Sequence, residues 1–433
     1  MNTRTSWKSF LAGAALFGGI MPCAASAGDP YGMRISGTVY ESVFTDIGSE
    51  APVIRLVSGN CCPDTECCAP VDCGETACCD IGCGEGCCDF SDGGDGGDIA
   101  FGGWVQLGYH NGLTPLSVAR NDYSSFNNHP HRLNLQQGWL YAEKIADGTE
   151  GLDWGFRMDA MYGVDASDTS AFGNPVGTWD FGGSFERGAG YGFAIPQLYA
   201  EVAIGEVSVK AGHFYTLVGY EVVTAPDNFF YSHSLTMFNS EPFTHTGMVA
   251  TVNASDDVTL YGGWTLGWDT GFSQFAGGNS FLGGFSVPLM EDVTLTYVTT
   301  FGDLGWRGDN GYSHSIVIDT TLTENLNWVL QSDFVSADSQ TRVNPANQFL
   351  NDDSVGVNSY MFYTINDWLK AGSRMEWWKG DGTSHYGITS GINVLLADNF
   401  IIRPEIRHQW SPANQPNGIG ADSIFGMDAI LTY

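Results

Sequence analysis

Apolar and polar positions alternate one by one over long stretches of this chain. In 152–163, Leu152, Trp154, Phe156, Met158, Ala160 and Tyr162 fall on one face, and Asp153, Gly155, Arg157, Asp159, Met161 and Gly163 on the other. In 400–410, Phe400, Ile402, Pro404, Ile406, His408 and Trp410 alternate with Ile401, Arg403, Glu405, Arg407 and Gln409. Tyr386, Ile388, Ile392, Val394 and Leu396 share one side of 386–396. At the far end, Phe425, Met427, Ala429, Leu431 and Tyr433 alternate with Ile424, Gly426, Asp428, Ile430 and Thr432. A period of two is that of a half-buried strand. Runs of roughly ten residues suit a tilted strand crossing a bilayer. The pattern predicts about sixteen strands, starting near residues 103, 133, 152, 196, 207, 246, 257, 281, 292, 312, 325, 354, 367, 385, 399 and 423.

The connections separate a membrane barrel from a soluble sandwich. Gly205-Glu206, Asp256-Asp257, Asn366-Asp367 and Ala397-Asp398-Asn399 read as tight turns. Long polar loops lie between them at 111–132, 164–195, 216–245, 269–280, 337–353 and 411–422. Short periplasmic turns facing long external loops are the layout of an outer-membrane barrel, and a sandwich has no reason to alternate so regularly. An all-β transmembrane antiparallel barrel over 101–433 follows. A closing strand with an aromatic at its end fits, since an open sheet edge is not tolerated in lipid.

The first hundred residues are of another kind. Arg4 and Lys8, the apolar run 10–21 and Ala25-Ser26-Ala27 read as a secretory signal peptide over 1–27. After residue 28 no apolar run is long enough for a membrane-spanning helix. Residues 28–100 are expected in the periplasm. They hold Cys61, Cys62, Cys67, Cys68, Cys73, Cys78, Cys79, Cys83, Cys87 and Cys88, followed by an acidic Gly/Asp linker. Export to an oxidising compartment favours a disulfide knot. Cross-linking to other chains is a second reading, and metal binding a third that lacks the usual zinc spacing.

Composition agrees with a barrel and narrows its partners. The 433 residues carry 49 acids against 17 bases, a formal charge of −32, with 57 glycines and 13% aromatics. Few charges with many Gly, Tyr, Trp and Phe suit aromatic girdles and curved strands. The acidity excludes nucleic acid, which requires Lys and Arg, and favours cations. Outer-membrane lipid and small solutes are the remaining partners.

On the strand register, Asp153, Arg157, Asp159, Glu201, Arg403, Glu405, Arg407 and Asp428 point into the lumen. Such groups either set ion selectivity or brace the wall as pairs.

The densest motif runs Gly212-His213-Phe214-Tyr215-Thr216-Leu217-Val218-Gly219-Tyr220-Glu221, then Pro226-Asp227-Asn228-Phe229-Phe230-Tyr231-Ser232-His233-Ser234 and Glu241-Pro242-Phe243-Thr244-His245-Thr246-Gly247. With Leu198-Tyr199-Ala200-Glu201 upstream, it resembles the OmpL-like β-barrel porin family of bacterial outer membranes. The resemblance covers most of 101–433 and is strongest over 195–250. It implies a porin-like barrel in the outer membrane and supplies no catalytic residue. By analogy with general porins, the third long loop folds into the lumen, and trimers are the expected homo-oligomer. Tyr220, Phe229, Phe230, Tyr231, Phe238 and Phe243 need a surface to pack on. On that reading Glu221, Asp227 and Glu241 line the constriction; the alternative is a cap on the outer rim.

No nucleophile elbow surrounds a serine, and Tyr231-Ser232-His233-Ser234 does not make a dyad by adjacency. His213, His233 and His245 lack tight metal-ligand spacing. No enzyme activity, cofactor or metal is expected. The function expected is passive diffusion of small hydrophilic solutes with a preference for cations. The alternative is a structural or adhesive envelope protein with a plugged barrel and a cross-linking cysteine segment.

Overall fold

The computed structural model describes residues 99–112, 129–182, 190–274, 277–338, 353–380, 382–412 and 421–433. The signal peptide, the cysteine-rich segment and its linker lie outside the described residues. Sixteen antiparallel strands form one closed sheet. They are β1 (Ala100–His110), β2 (Asn134–Lys144), β3 (Asp153–Gly163), β4 (Leu198–Ile204, preceded by Gly192–Ala194), β5 (Val207–Tyr215), β6 (Thr244–Ser255), β7 (Val258–Thr265) and β8 (Asn279–Met290). There follow β9 (Val293–Asp303), β10 (Asp309–Thr323), β11 (Leu326–Asp338), β12 (Asp353–Asn366), β13 (Leu369–Gly380), β14 (Thr383–Ala397), β15 (Phe400–Trp410) and β16 (Ala421–Thr432). Each pairs with its neighbours in sequence, and β1 pairs with β16 to close the ring.

Every expected strand is present within a few residues of its expected start. The one interruption is in β4, whose two pieces both pair with β3. Between them stands Pro196, which has no N–H to give the ladder. The seam closes with direct bonds: Gly103 N donates to Tyr433 O, and Tyr433 N to Gly103 O, both at 2.9 Å. The Tyr433 hydroxyl reaches Trp139 O at 3.0 Å. Each backbone group left open in hydrocarbon would cost several kcal/mol, so closure is what makes the wall viable.

The alternation sorts the two faces. Leu140, Trp154, Met158, Ile406, Phe425 and Leu431 are exposed outward, while Trp139, Asp159, Arg403 and Asp428 beside them are buried inward. Outward aromatics pair across strands, as Phe281–Phe301 at 4.8 Å and Tyr386–Trp410 at 5.4 Å. The tight turns fall where expected, between β4 and β5, β6 and β7, β12 and β13, and β14 and β15. On the opposite rim two connections are short, 304–308 and 381–382. No described helix is long and apolar enough to cross a membrane. Among the described residues the α-helices are α1 (Ala166–Thr169), in the loop after β3, and α2 (Leu235–Ser240), in the loop between β5 and β6.

Candidate functional site

The 216–243 loop leaves β5, crosses the barrel interior and returns to β6. Its own architecture is local. Asn228 closes the first limb, accepting from Val222 N at 3.0 Å and donating to Thr224 O at 2.8 Å. A 3-10 turn, Ala225–Asp227, is started by Pro226. Helix α2 begins at Ser234, whose hydroxyl accepts from Met237 N at 3.1 Å.

Inward side chains on the far wall hold this loop. Arg374 of β13 donates to Glu221 Oε1 at 2.6 Å and to Ser232 O at 2.7 Å. Arg403 of β15 is paired with Asp428 of β16 at 2.5 Å and donates to Ala225 O at 2.8 Å and to Asn228 O. Glu405 accepts from Ser232 N at 3.2 Å, and Glu376 from Leu235 N at 2.7 Å. Gln331 of β11 donates to Glu241 Oε1 at 2.6 Å. Gln137 of β2 donates to Val223 O at 2.9 Å, and Gln136 meets the Tyr231 hydroxyl. Bonds to β2, β11, β13 and β15 from a loop rooted on β5 and β6 place it inside the ring.

Apolar contacts complete the seat. Phe229 and Phe230 pack with Val329 and Tyr360, and Tyr220 stands 4.9 Å from the Tyr360 ring. Leu217 and Val218 pack on Phe214, Val249, Leu282 and Val298. Close approach requires bare backbone on the wall. A Cβ on Gly372 would collide with the Phe229 ring, and one on Gly108 with Tyr231.

The expected lumen groups separate into two sets. Arg403, Glu405 and Arg407 join the loop anchors, Arg407 lying 3.5 Å from Glu376. Asp153, Arg157, Asp159 and Glu201 stay with β2–β5. Asp153 is bound by Lys144 at 2.9 Å, near the β2–β3 turn. Arg157 bridges Glu143 and Asp159, both at 2.7 Å, over the Tyr141 ring. Glu201 faces Lys210 across the β4–β5 ladder, and the Lys210 ammonium lies over Tyr199.

Of the three loop carboxylates, Glu221 is matched by Arg374. Asp227 accepts from Thr224 Oγ1 at 2.5 Å, and burial pushes its carboxyl up. Burial, then the carboxylates of Asp333 and Glu221, push Glu241 well above the usual range. Burial, then Arg374, Arg403 and Arg407, push His233 down to about 3. His213 bonds to Thr246 Oγ1 at 2.8 Å, and His245 to Thr216 Oγ1 at 3.0 Å.

Sequence reasoning missed Arg374, Glu376, Gln331 and Gln137. Arg374 and Glu376 stand at alternate positions in β13, so the same register argument would have placed both inward. That they seat the loop has no signal in the local sequence.

A closed antiparallel barrel with an apolar outside, a polar inside and a loop folded into its lumen defines a porin-type protein of the bacterial outer membrane. The chain belongs to the family described as "Putative beta-barrel porin-2, OmpL-like", which matches residues 98–433. The outer membrane channel DcaP of Acinetobacter baumannii has a similar structure, with a TM-score of 0.53 at 10% identity over 78% of this chain and 97% of that one. An anion-selective porin from Comamonas acidovorans gives 0.51 at 11% identity, over 77% of this chain and 99% of that one. At such identity the likeness is one of fold. A search of curated proteins finds no match to the chain.

Proposed function

We propose that this porin is a passive diffusion channel for small hydrophilic solutes with a preference for cations. The observation that carries the reading is the polar inner wall narrowed by the 216–243 loop. Asn358, Thr389, Gln331 and Arg374 face inward and are buried, so they hold the loop across the lumen and leave the remaining opening to be lined by it. The cation preference rests on charge, 49 acids against 17 bases. The Comamonas porin is anion-selective by its description, so the fold is compatible with either sign. Glu221, Asp227 and Glu241 are the loop carboxylates proposed to act on passing ions. Residues 28–100 are proposed as a periplasmic appendage, with its ten cysteines in disulfides.

One observation favours the second reading, a plugged barrel with a structural role. Arg374, Gln331, Asn358 and Arg403 are closed off from water by their neighbours. Planar-bilayer conductance under a salt gradient decides. Steady single-channel steps with a cation-selective reversal potential support diffusion. A folded, heat-modifiable barrel that passes no current overturns it in favour of the plug.

A further inference from the structure

Most charged side chains of the inner wall have a partner. Arg157 bridges Glu143 and Asp159, Arg374 meets Glu221, Arg403 meets Asp428, and Arg407 lies beside Glu376. Glu201 and Lys210 differ. They are direct partners across the β4–β5 ladder. Cβ atoms in such a pair stand about 5 Å apart, close enough for carboxylate and ammonium to meet. Among the described residues, neither side chain makes an ion pair or a hydrogen bond. The Lys210 ammonium lies instead over the Tyr199 ring, 4.3 Å from its centre.

The pair is reachable from the lumen. Val202, Ile204 and Val207 are exposed toward lipid, so Glu201 and Lys210, at the alternate positions, point inward. Both are half-buried, whereas Arg374, Glu376, Arg403 and Asp428 are buried. The pair also stands apart from other charges. In the same row across the wall, Gly155 of β3 is opposite Glu201, and Val249 of β6 is opposite Lys210. Neither flank brings a charge. The Arg157 guanidinium, at the position opposite Tyr199, is already held by two carboxylates.

We propose that Glu201 and Lys210 form a subsite for small zwitterions, of which an α-amino acid is the simplest. Its carboxylate meets Lys210 and its ammonium meets Glu201. The inference rests on the diffusion reading and names the solute class that this wall favours. A lone cation drawn to Glu201 also meets the like charge of Lys210, and a lone anion drawn to Lys210 meets that of Glu201, so each attraction is largely cancelled. A solute that carries both charges, joined through one carbon, satisfies the two groups together. The Tyr199 face gives the ammonium a resting place away from Glu201, which keeps the two groups available. Half-burial strengthens the contacts relative to those in bulk water.

The test uses the full-length protein, folded into liposomes, and follows uptake of labelled L-alanine, glycerol and L-lactate at low concentration. The three solutes are nearly equal in size and differ in charge. In the wild type, alanine is expected to enter faster than either of the others by roughly fivefold, as two part-exposed charge contacts allow. E201Q and K210Q should each bring the ratio of alanine to glycerol close to one. The exchange E201K/K210E keeps both charges and should restore the preference, because a zwitterion can bind the other way round. Heat-modifiability on a gel checks that each variant is folded. Alanine and glycerol entering the wild type at equal rates overturn the inference and leave the diffusion reading standing. Lactate entering as fast as alanine also overturns it, since Lys210 would then act alone. If no solute enters, the diffusion reading fails and the subsite fails with it.

Discussion

Arg374 and Glu221 are 153 residues apart in sequence and form an ion pair at 2.6 Å in the interior of the barrel. Both are buried, one on the wall and one on the loop. Removing one partner of such a pair leaves the other charged, dry and alone.

Replacing Arg374 with Met should therefore release the 216–243 loop, at a cost of about 3–5 kcal/mol. Single-channel conductance should rise, and a protease should cut within the loop of the folded barrel. The double variant R374M/E221L should recover most of the stability, because an apolar pair needs no compensation. A double variant as unstable as R374M would show that the other Arg374 bonds, to Ser232 and His233, hold the loop instead.

Neutralising the loop carboxylates together, as E221Q/D227N/E241Q, should reduce cation preference and move the reversal potential under a salt gradient toward zero. The single change D227N should carry a larger share than E221Q, because the Glu221 charge is already matched by Arg374. Selectivity unchanged in the triple variant would place the ion path away from this loop.

The wall glycines give a steric test that leaves every charge in place. A methyl at Gly372 collides with Phe229, and one at Gly108 with Tyr231. G372A and G108A should each cost about 1–3 kcal/mol through overpacking and should make open-channel current noisier. A control change at Gly262, where a Cβ meets nothing within 4 Å, should alter neither reading.

Acid should weaken the loop seat through His233. Its folded value of about 3 lies below the ordinary 6.5, so the folded protein keeps it neutral while the unfolded chain takes up a proton. The unfolded state then binds more protons, and stability rises with pH across that window. The contribution is whole above pH 6.5 and is lost as pH falls toward 3, by at most roughly 4–5 kcal/mol. Urea midpoints measured from about pH 8 to about pH 4 should fall less for H233Q than for the wild type. Parallel pH profiles would show that His233 is hydrated in the folded barrel.

The barrel was legible because its signal is local. The face of a residue such as Met158 or Asp159 is set by whether its position is odd or even, and lipid outside makes a slip of one residue intolerable. Tight turns such as Asp256-Asp257 and the return of the chain at Tyr433 follow from the same pattern. Aromatics in the third loop signalled that it packs on something, since Phe229, Phe230 and Tyr231 would not stay in water.

What they pack on was not legible. Arg374, Glu376, Gln331 and Asp333 lie on strands entered long after the loop has been passed, and nothing near Glu221 or Glu241 in sequence names them. The Arg403–Glu405–Arg407 ladder read as bracing or selectivity, yet it also binds Ala225, Asn228 and Ser232.

Strand number, the order of neighbours and the lipid-facing side chains could be read from the chain alone, because these depend on period and on the ban on open edges in a membrane. Which inward charges meet became visible only in the folded barrel, because that depends on how a single loop crosses a closed ring to reach strands distant in sequence.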